Sequence, residues 1–163
     1  MMKKIVLGIA ALALGLSLSS GAYAGVTSGS MPVTANIQAW CALGLNTLDL
    51  GDYAGTAVSV SNDLYVLCSK DSPYNVAMDA GLHFGAGWRR VSDGTNFATY
   101  GIFKAGGAEW GDNDFANTYI FGSSVGATGT GTTDTHTMTA YVLSGQAVPV
   151  GTYTDTVLVS VYF

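Results

Sequence analysis

The sequence predicts an all-β protein, a single β-sandwich domain behind an N-terminal leader. Three observations predict it. Glycine is abundant and proline scarce, 22 against 3. No window after Ala24 keeps a helical apolar period for three turns. Short runs of alternating apolar and polar residues recur instead, punctuated by Gly, Asn, Asp and Ser, which is the pattern of strands and turns.

The leader comes first. Lys3 and Lys4 open it, an apolar stretch runs from Ile5 to Leu18, and Ala22-Tyr23-Ala24 closes it. A basic start, a short apolar run and small residues at a cleavage site describe an export signal cut after Ala24, and the run is short for a membrane span. Removing residues 1–24 leaves 139 residues, four of them basic and eleven acidic, for a net charge of −7. That length suits one domain with its own core. The missing basic surface argues against nucleic acid and anionic membranes as partners.

The strands follow in order. Met31–Cys41 alternates, with Met31, Val33, Ala35, Ile37 and Cys41 on one face. Leu43–Leu50 is next and ends at Gly51-Asp52. Ala57–Ser61, Leu64–Cys68, Tyr74–Asp79, Phe97–Lys104, Thr118–Gly122, Thr135–Leu143 and Tyr153–Phe163 complete the set. Roughly nine short strands in one domain point to a sandwich. Residues 81–94 read as a glycine-rich linker carrying Arg89-Arg90, and residues 122–135 (GSSVGATGTGTTDT) as a flexible surface loop in preference to a weak edge hairpin.

Cys41 and Cys68 are the only cysteines. An even pair in an exported chain implies a disulfide, worth roughly 3–4 kcal/mol by chain entropy. Cys41 shares parity with Ile37 and Val33, and Cys68 with Val66 and Leu64, so both point inward.

Catalytic, metal and cofactor chemistry find no footing. His83 and His136 have no ligand-type neighbours at metal spacing, and there is no G-x-S-x-G elbow. Trp110-Gly111-Asp112 reads as a turn in which Asp bonds the local backbone and Trp covers the core edge; a carbohydrate-binding site on Trp110 and Asp112 is the weaker alternative. We therefore expect no enzyme, no cofactor and no bound metal.

The two ends of the mature chain carry the sharpest signal. The terminal strand places Tyr153, Val157, Val159, Val161 and Phe163 on one face and mostly polar residues on the other. The sequence breaks off at Phe163 on that apolar strand, which we read as belonging to a sheet that another copy completes. The N-terminal segment is a strand of matching alternation. It either adds to another sheet, its side chains filling a groove, or forms the first strand of its own sandwich. Pro32 counts against the first option by removing a ladder hydrogen bond.

The residues then resemble a family. Val33–Ile37 leading to Cys41, Leu48-Asp49-Leu50-Gly51-Asp52-Tyr53, Leu64–Cys68, Pro73–Gly81, Arg89-Arg90, Tyr100–Phe103, Trp110-Gly111-Asp112 and above all the G-T-Y-x-D-T-V-x-V-x-V pattern from Gly151 are similar, in order and spacing, to the spore coat protein U domain, also the subunit fold of archaic chaperone–usher pili. Leu50 replaces the usual aromatic, and residues 111–135 match poorly.

The resemblance implies an immunoglobulin-like sandwich that lacks its final strand and is completed by donor-strand complementation. It implies a secreted, non-enzymatic pilin that polymerises by donor-strand exchange for surface adhesion and biofilm formation. Its partners would be sister subunits, a periplasmic chaperone and an outer-membrane usher. It assigns Cys41 and Cys68 as the disulfide. Residues 25–37 become the donor extension, with Met31, Val33, Ala35 and Ile37 as donor side chains, and residues 38–163 the domain. Val157, Val159, Val161 and Phe163 line the acceptor groove. The chain passes through the periplasm to the cell surface or beyond. A self-contained coat or matrix protein of the same family is the alternative.

Overall fold

A computed structural model describes residues 25–163; the leader and its cleavage point after Ala24 lie outside the described residues. The chain divides into a unit ending at Asn36 and a compact unit, Ile37–Phe163. Residues 25–36 carry no helix or strand and are exposed. Met31–Cys41, expected as a strand, therefore pairs only from Cys41 onward. Alternation alone does not make a strand: the segment needs a neighbour for its backbone hydrogen bonds, and residues 31–40 belong to no ladder among the described residues.

Eight strands follow: β1 (Cys41–Gly44), β2 (Val58–Cys68), β3 (Pro73–Met78), β4 (Arg89–Ser92), β5 (Phe97–Lys104), β6 (Val125–Thr128), β7 (Thr133–Val142) and β8 (Val159–Tyr162). They form two sheets, β1-β2-β7-β5-β4 and β6-β3-β8, in which every pair is antiparallel. The all-β expectation holds. Inward positions are buried as alternation requires: Leu64, Val66 and Cys68 of β2 are fully buried, and they meet Tyr74, Val76 and Met78 of β3 across the core.

Several boundaries differ from the sequence reading. The strands expected at 57–61 and 64–68 merge into β2, which pairs with β7 without a break from Val58 to Leu67. The second strand stops at Gly44; beyond it, the Asn62 side chain donates to the Thr47 carbonyl and Asn46 to that of Asp63, replacing a ladder with side-chain bonds. Residues 118–122 form turns rather than a strand. The expected linker and the expected loop each hold an edge strand, β4 within 81–94 and β6 within 122–135. Four-residue edge strands such as these, RRVS and VGAT, carry little apolar pattern, so periodicity passes over them.

Candidate functional site

The feature that stands out is the outer edge of β8. β3 flanks β8 on one side, and no described strand pairs with the other. Pairing with the β3 side extends backwards beyond the ladder: the Asp79 N–H donates to the Leu158 carbonyl (3.0 Å) and Leu82 N–H to that of Thr156 (3.1 Å). Even-numbered residues of this strand thus turn their backbone groups to β3. By the alternation of antiparallel ladders, the N–H and C=O of Val157, Val159, Val161 and Phe163 point to the open side. The side chains of Val157, Val159 and Val161 pack half-buried against the core cluster, whereas Phe163 is 62% exposed. A half-buried apolar row beside unused backbone donors and acceptors is a template for one more strand.

The same core cluster receives Leu43 of β1 and Leu48, Leu50 and Tyr53 after it, all only partly covered. Cys41 and Cys68 form a disulfide between directly paired positions of β1 and β2. Just before it, the Trp40 carbonyl accepts from Ser69 N–H at 2.9 Å and the Trp40 N–H donates to Ser69 Oγ at 3.2 Å. Of the extension, Met31, Val33 and Ile37 are 81–83% exposed and Ala35 is exposed as well.

Buried polar groups hold the closed side of β8. Asp79 Oδ1 accepts from the N–H groups of Gly81 (2.9 Å) and Leu158 (2.8 Å). Asp155 Oδ2 accepts from the Tyr100 hydroxyl (2.7 Å), while its Oδ1 accepts from His83 N–H and lies 3.1 Å from His83 Nδ1. Burial pushes the Tyr100 phenol well above its ordinary value, with the Asp155 bond adding to the shift. Arg89 is fully buried and donates to the Met78 and Asp79 carbonyls, its guanidinium 4.0 Å above the Tyr119 ring. Burial lowers its pKa from the usual value.

These anchors escaped the sequence reading, although signals for them existed. Asp155 has the same odd parity as Val157, an inward carboxylate on a strand, and Asp79-Ala80-Gly81 has the spacing of an Asx turn.

Trp110 and Asp112 act structurally. Trp110 is fully buried and its Nε1–H donates to the Val76 carbonyl at 2.8 Å, so it offers no ring face for a sugar; the carbohydrate alternative fails on that burial. Asp112 accepts from Tyr119 N–H and the Thr118 hydroxyl and so shapes the following turn. Gly111 is required between them, because a β-carbon there would lie 2.3 Å from the Gly122 carbonyl oxygen.

Tyr74, Asp134 and His136 form a polar triplet. The Tyr74 hydroxyl donates to Asp134 Oδ2 (3.1 Å) and accepts from His136 Nε2 (2.8 Å), the assignment that gives each group a partner. Burial first, then Asp134, pushes the Tyr74 phenol up to about 12. Among the described residues no group of three or more His, Cys, Asp or Glu side chains stands ready for a metal.

No curated protein matches the chain. Its structure is similar to a chain in the crystal structure of the CsuC–CsuE chaperone–tip adhesion subunit pre-assembly complex from archaic chaperone–usher Csu pili of Acinetobacter baumannii, at 26% identity and a TM-score of 0.57. The likeness covers 78% of this chain but 40% of that one, so the chain spans well under half the length of its relative. The fold is thus the immunoglobulin-like sandwich of chaperone–usher pilins. A family model, the Spore Coat Protein U domain, matches residues 27–160, and the chain belongs to that family, a structural family of coats and pili rather than of enzymes.

Proposed function

We propose that this chain is an exported pilin: its open β8 edge accepts the N-terminal extension of a second copy, and repetition of that step builds a fibre. The observation that carries the reading is the match between two odd-numbered apolar rows. One is half-buried along an unpaired edge, and the other stands exposed on residues 25–37. Antiparallel addition, the arrangement of all six strand pairs in the two sheets, sets Met31 opposite Phe163, Val33 opposite Val161, Ala35 opposite Val159 and Ile37 opposite Val157. In that register all four donor side chains face the core. Their backbones face the unused groups of β8. Pro32 falls at an even position and turns its missing N–H away from β8, so the proline costs no bond on that side. Burying the four side chains contributes ~1.5–3 kcal/mol for each large one.

Residues 1–24 direct export, 25–37 form the donor and 38–163 the acceptor domain. A periplasmic chaperone protects the edge before assembly, as the relative's complex with CsuC supports, and an outer-membrane usher exchanges it for the donor. The disulfide fits passage through an oxidising compartment. The exposed, strandless state of residues 25–36 favours exchange over a self-contained coat protein whose first strand folds back. The deciding experiment deletes residues 25–35: the shortened chain should bind its chaperone yet form no fibres. Fibres of normal yield from that chain would overturn the reading.

A further inference from the structure

The donor register has a geometric consequence at the junction between copies. Only Gln38, Ala39 and Trp40 separate Ile37 from the disulfide at Cys41. Four residue steps reach no more than about 14 Å. With Ile37 of the incoming copy opposite Val157, its Trp40 therefore comes down alongside Thr154 and Tyr153 of the receiving copy. The incoming body cannot hang free of that end.

Both surfaces suit a contact. Trp40 is 48% exposed and sits at the end of its domain where β2 and β8 finish, its backbone fixed to Ser69. On the receiving side, the Tyr153 ring lies over Gly151 and its hydroxyl donates to the Pro149 carbonyl at 2.9 Å, which folds residues 149–153 into a compact knob. Val150 at its tip is completely exposed. No charged side chain lies between Leu143 and Thr154 in the sequence, and the one charge bordering the knob is Asp93, an exposed carboxylate beside the Tyr153 hydroxyl that can stay in water at the rim of a contact centred on Val150.

We propose that Trp40 of each incoming copy docks on the Pro149–Val150–Tyr153 knob of the copy that receives its donor strand, an apolar second contact that fixes the angle between neighbouring subunits. The inference rests on the donor-strand reading above.

Acrylamide quenching of tryptophan fluorescence tests it in assembled fibres of the full chain. A Trp88→Phe background leaves Trp40 and the buried Trp110, and Trp40→Phe in the same background supplies the Trp110 baseline. Quenching of Trp40 in these fibres should be lower by about half or more than in fibres that also carry Val150→Asp, as an anchor residue is uncovered. Val150→Ser provides the milder variant should Val150→Asp fail to assemble, and it should shift quenching the same way. Fibres that form normally while Trp40 is quenched equally with and without the Val150 substitutions overturn the docking and leave strand exchange standing. Failure of the full-length background chain to form fibres, with its chaperone-bound subunit folded, overturns both.

Discussion

An alanine series along the extension tests the register directly. The odd positions are almost fully exposed before exchange, Ile37 at 83% and Val33 at 82%, so each substitution loses close to its whole burial term. Ile37→Ala removes three carbons, about 2.4 kcal/mol at ~0.8 per carbon, and Val33→Ala removes two, about 1.6 kcal/mol. If the loss falls on the dissociation rate, fibres should fall apart about 50-fold and about 15-fold faster respectively. Thr34→Ala and Asn36→Ala should change the rate by no more than about twofold, because their side chains face away from the core. The assay follows loss of multimers in denaturant or detergent with time, on fibres assembled from each variant. Equal sensitivity at odd and even positions would refute the register, even if exchange itself occurs.

Four further expectations concern the acceptor domain in assembled form. Trp110→Ala should lower its stability to urea by ~3–5 kcal/mol, since it empties a fully buried site and leaves the Val76 carbonyl without its donor; a small loss would contradict the core assignment. Gly111→Ala should cost ~1–3 kcal/mol because its β-carbon meets backbone rather than a movable side chain, and an unchanged urea midpoint would argue against that close approach. Replacing Cys41 and Cys68 together by serine should cost ~3–4 kcal/mol in the same measurement. Burial holds the His136 imidazole below its ordinary pKa while Asp134 pulls the other way. Its contribution is therefore complete above the unfolded value of about 6.5 and declines as pH falls below it towards the lower folded value. Midpoints measured down to about pH 5 should drop, and His136→Gln should flatten that drop.

What was legible in the sequence followed alternation. β5 appears with the expected bounds, Phe97–Lys104, and Leu64, Val66 and Cys68 are buried as their parity requires. Alternation failed where pairing is decided by partners beyond the segment. Met31–Ile37 has a strand's pattern and no ladder, while Val125–Thr128 has almost no pattern and pairs with β3 because the chain returns there. The buried polar anchors were illegible for another reason. Arg89 and Asp155 look like surface residues by type, and only the fold reveals that backbone carbonyls take the Nε and Nη2 groups of Arg89, leaving Nη1 without a partner, and that a buried tyrosine donates to Asp155.

Those anchors bear on how an unpaired edge can remain selective. Asp79 bonds the Leu158 N–H just before β8, while Arg89 holds the end of β3 and Asp155 ties the chain ahead of β8 to Tyr100, none of them using the outer groups of β8; on the proposed exchange, the acceptor strand is then held before a donor arrives and the donor loses most of the freedom on joining. An ordered, open edge would accept many strands, and the discrimination has to come from register. A slip by one residue brings Thr34 and Asn36 to the core face in place of Val33, Ala35 and Ile37. It also turns Pro32 towards β8, where its absent N–H leaves a carbonyl of the acceptor unpaired. In the correct register that proline costs nothing on the β8 side; in the slipped one it adds the loss of a ladder bond to the burial of polar side chains. On the proposed exchange, Pro32, which by itself counts against a donor strand, would thus act against the wrong alignment of one. Pro32→Ala should leave correctly assembled fibres at near wild-type stability while increasing the fraction of fast-dissociating, misaligned junctions. A uniform change in every junction would show that the proline acts on the native register instead.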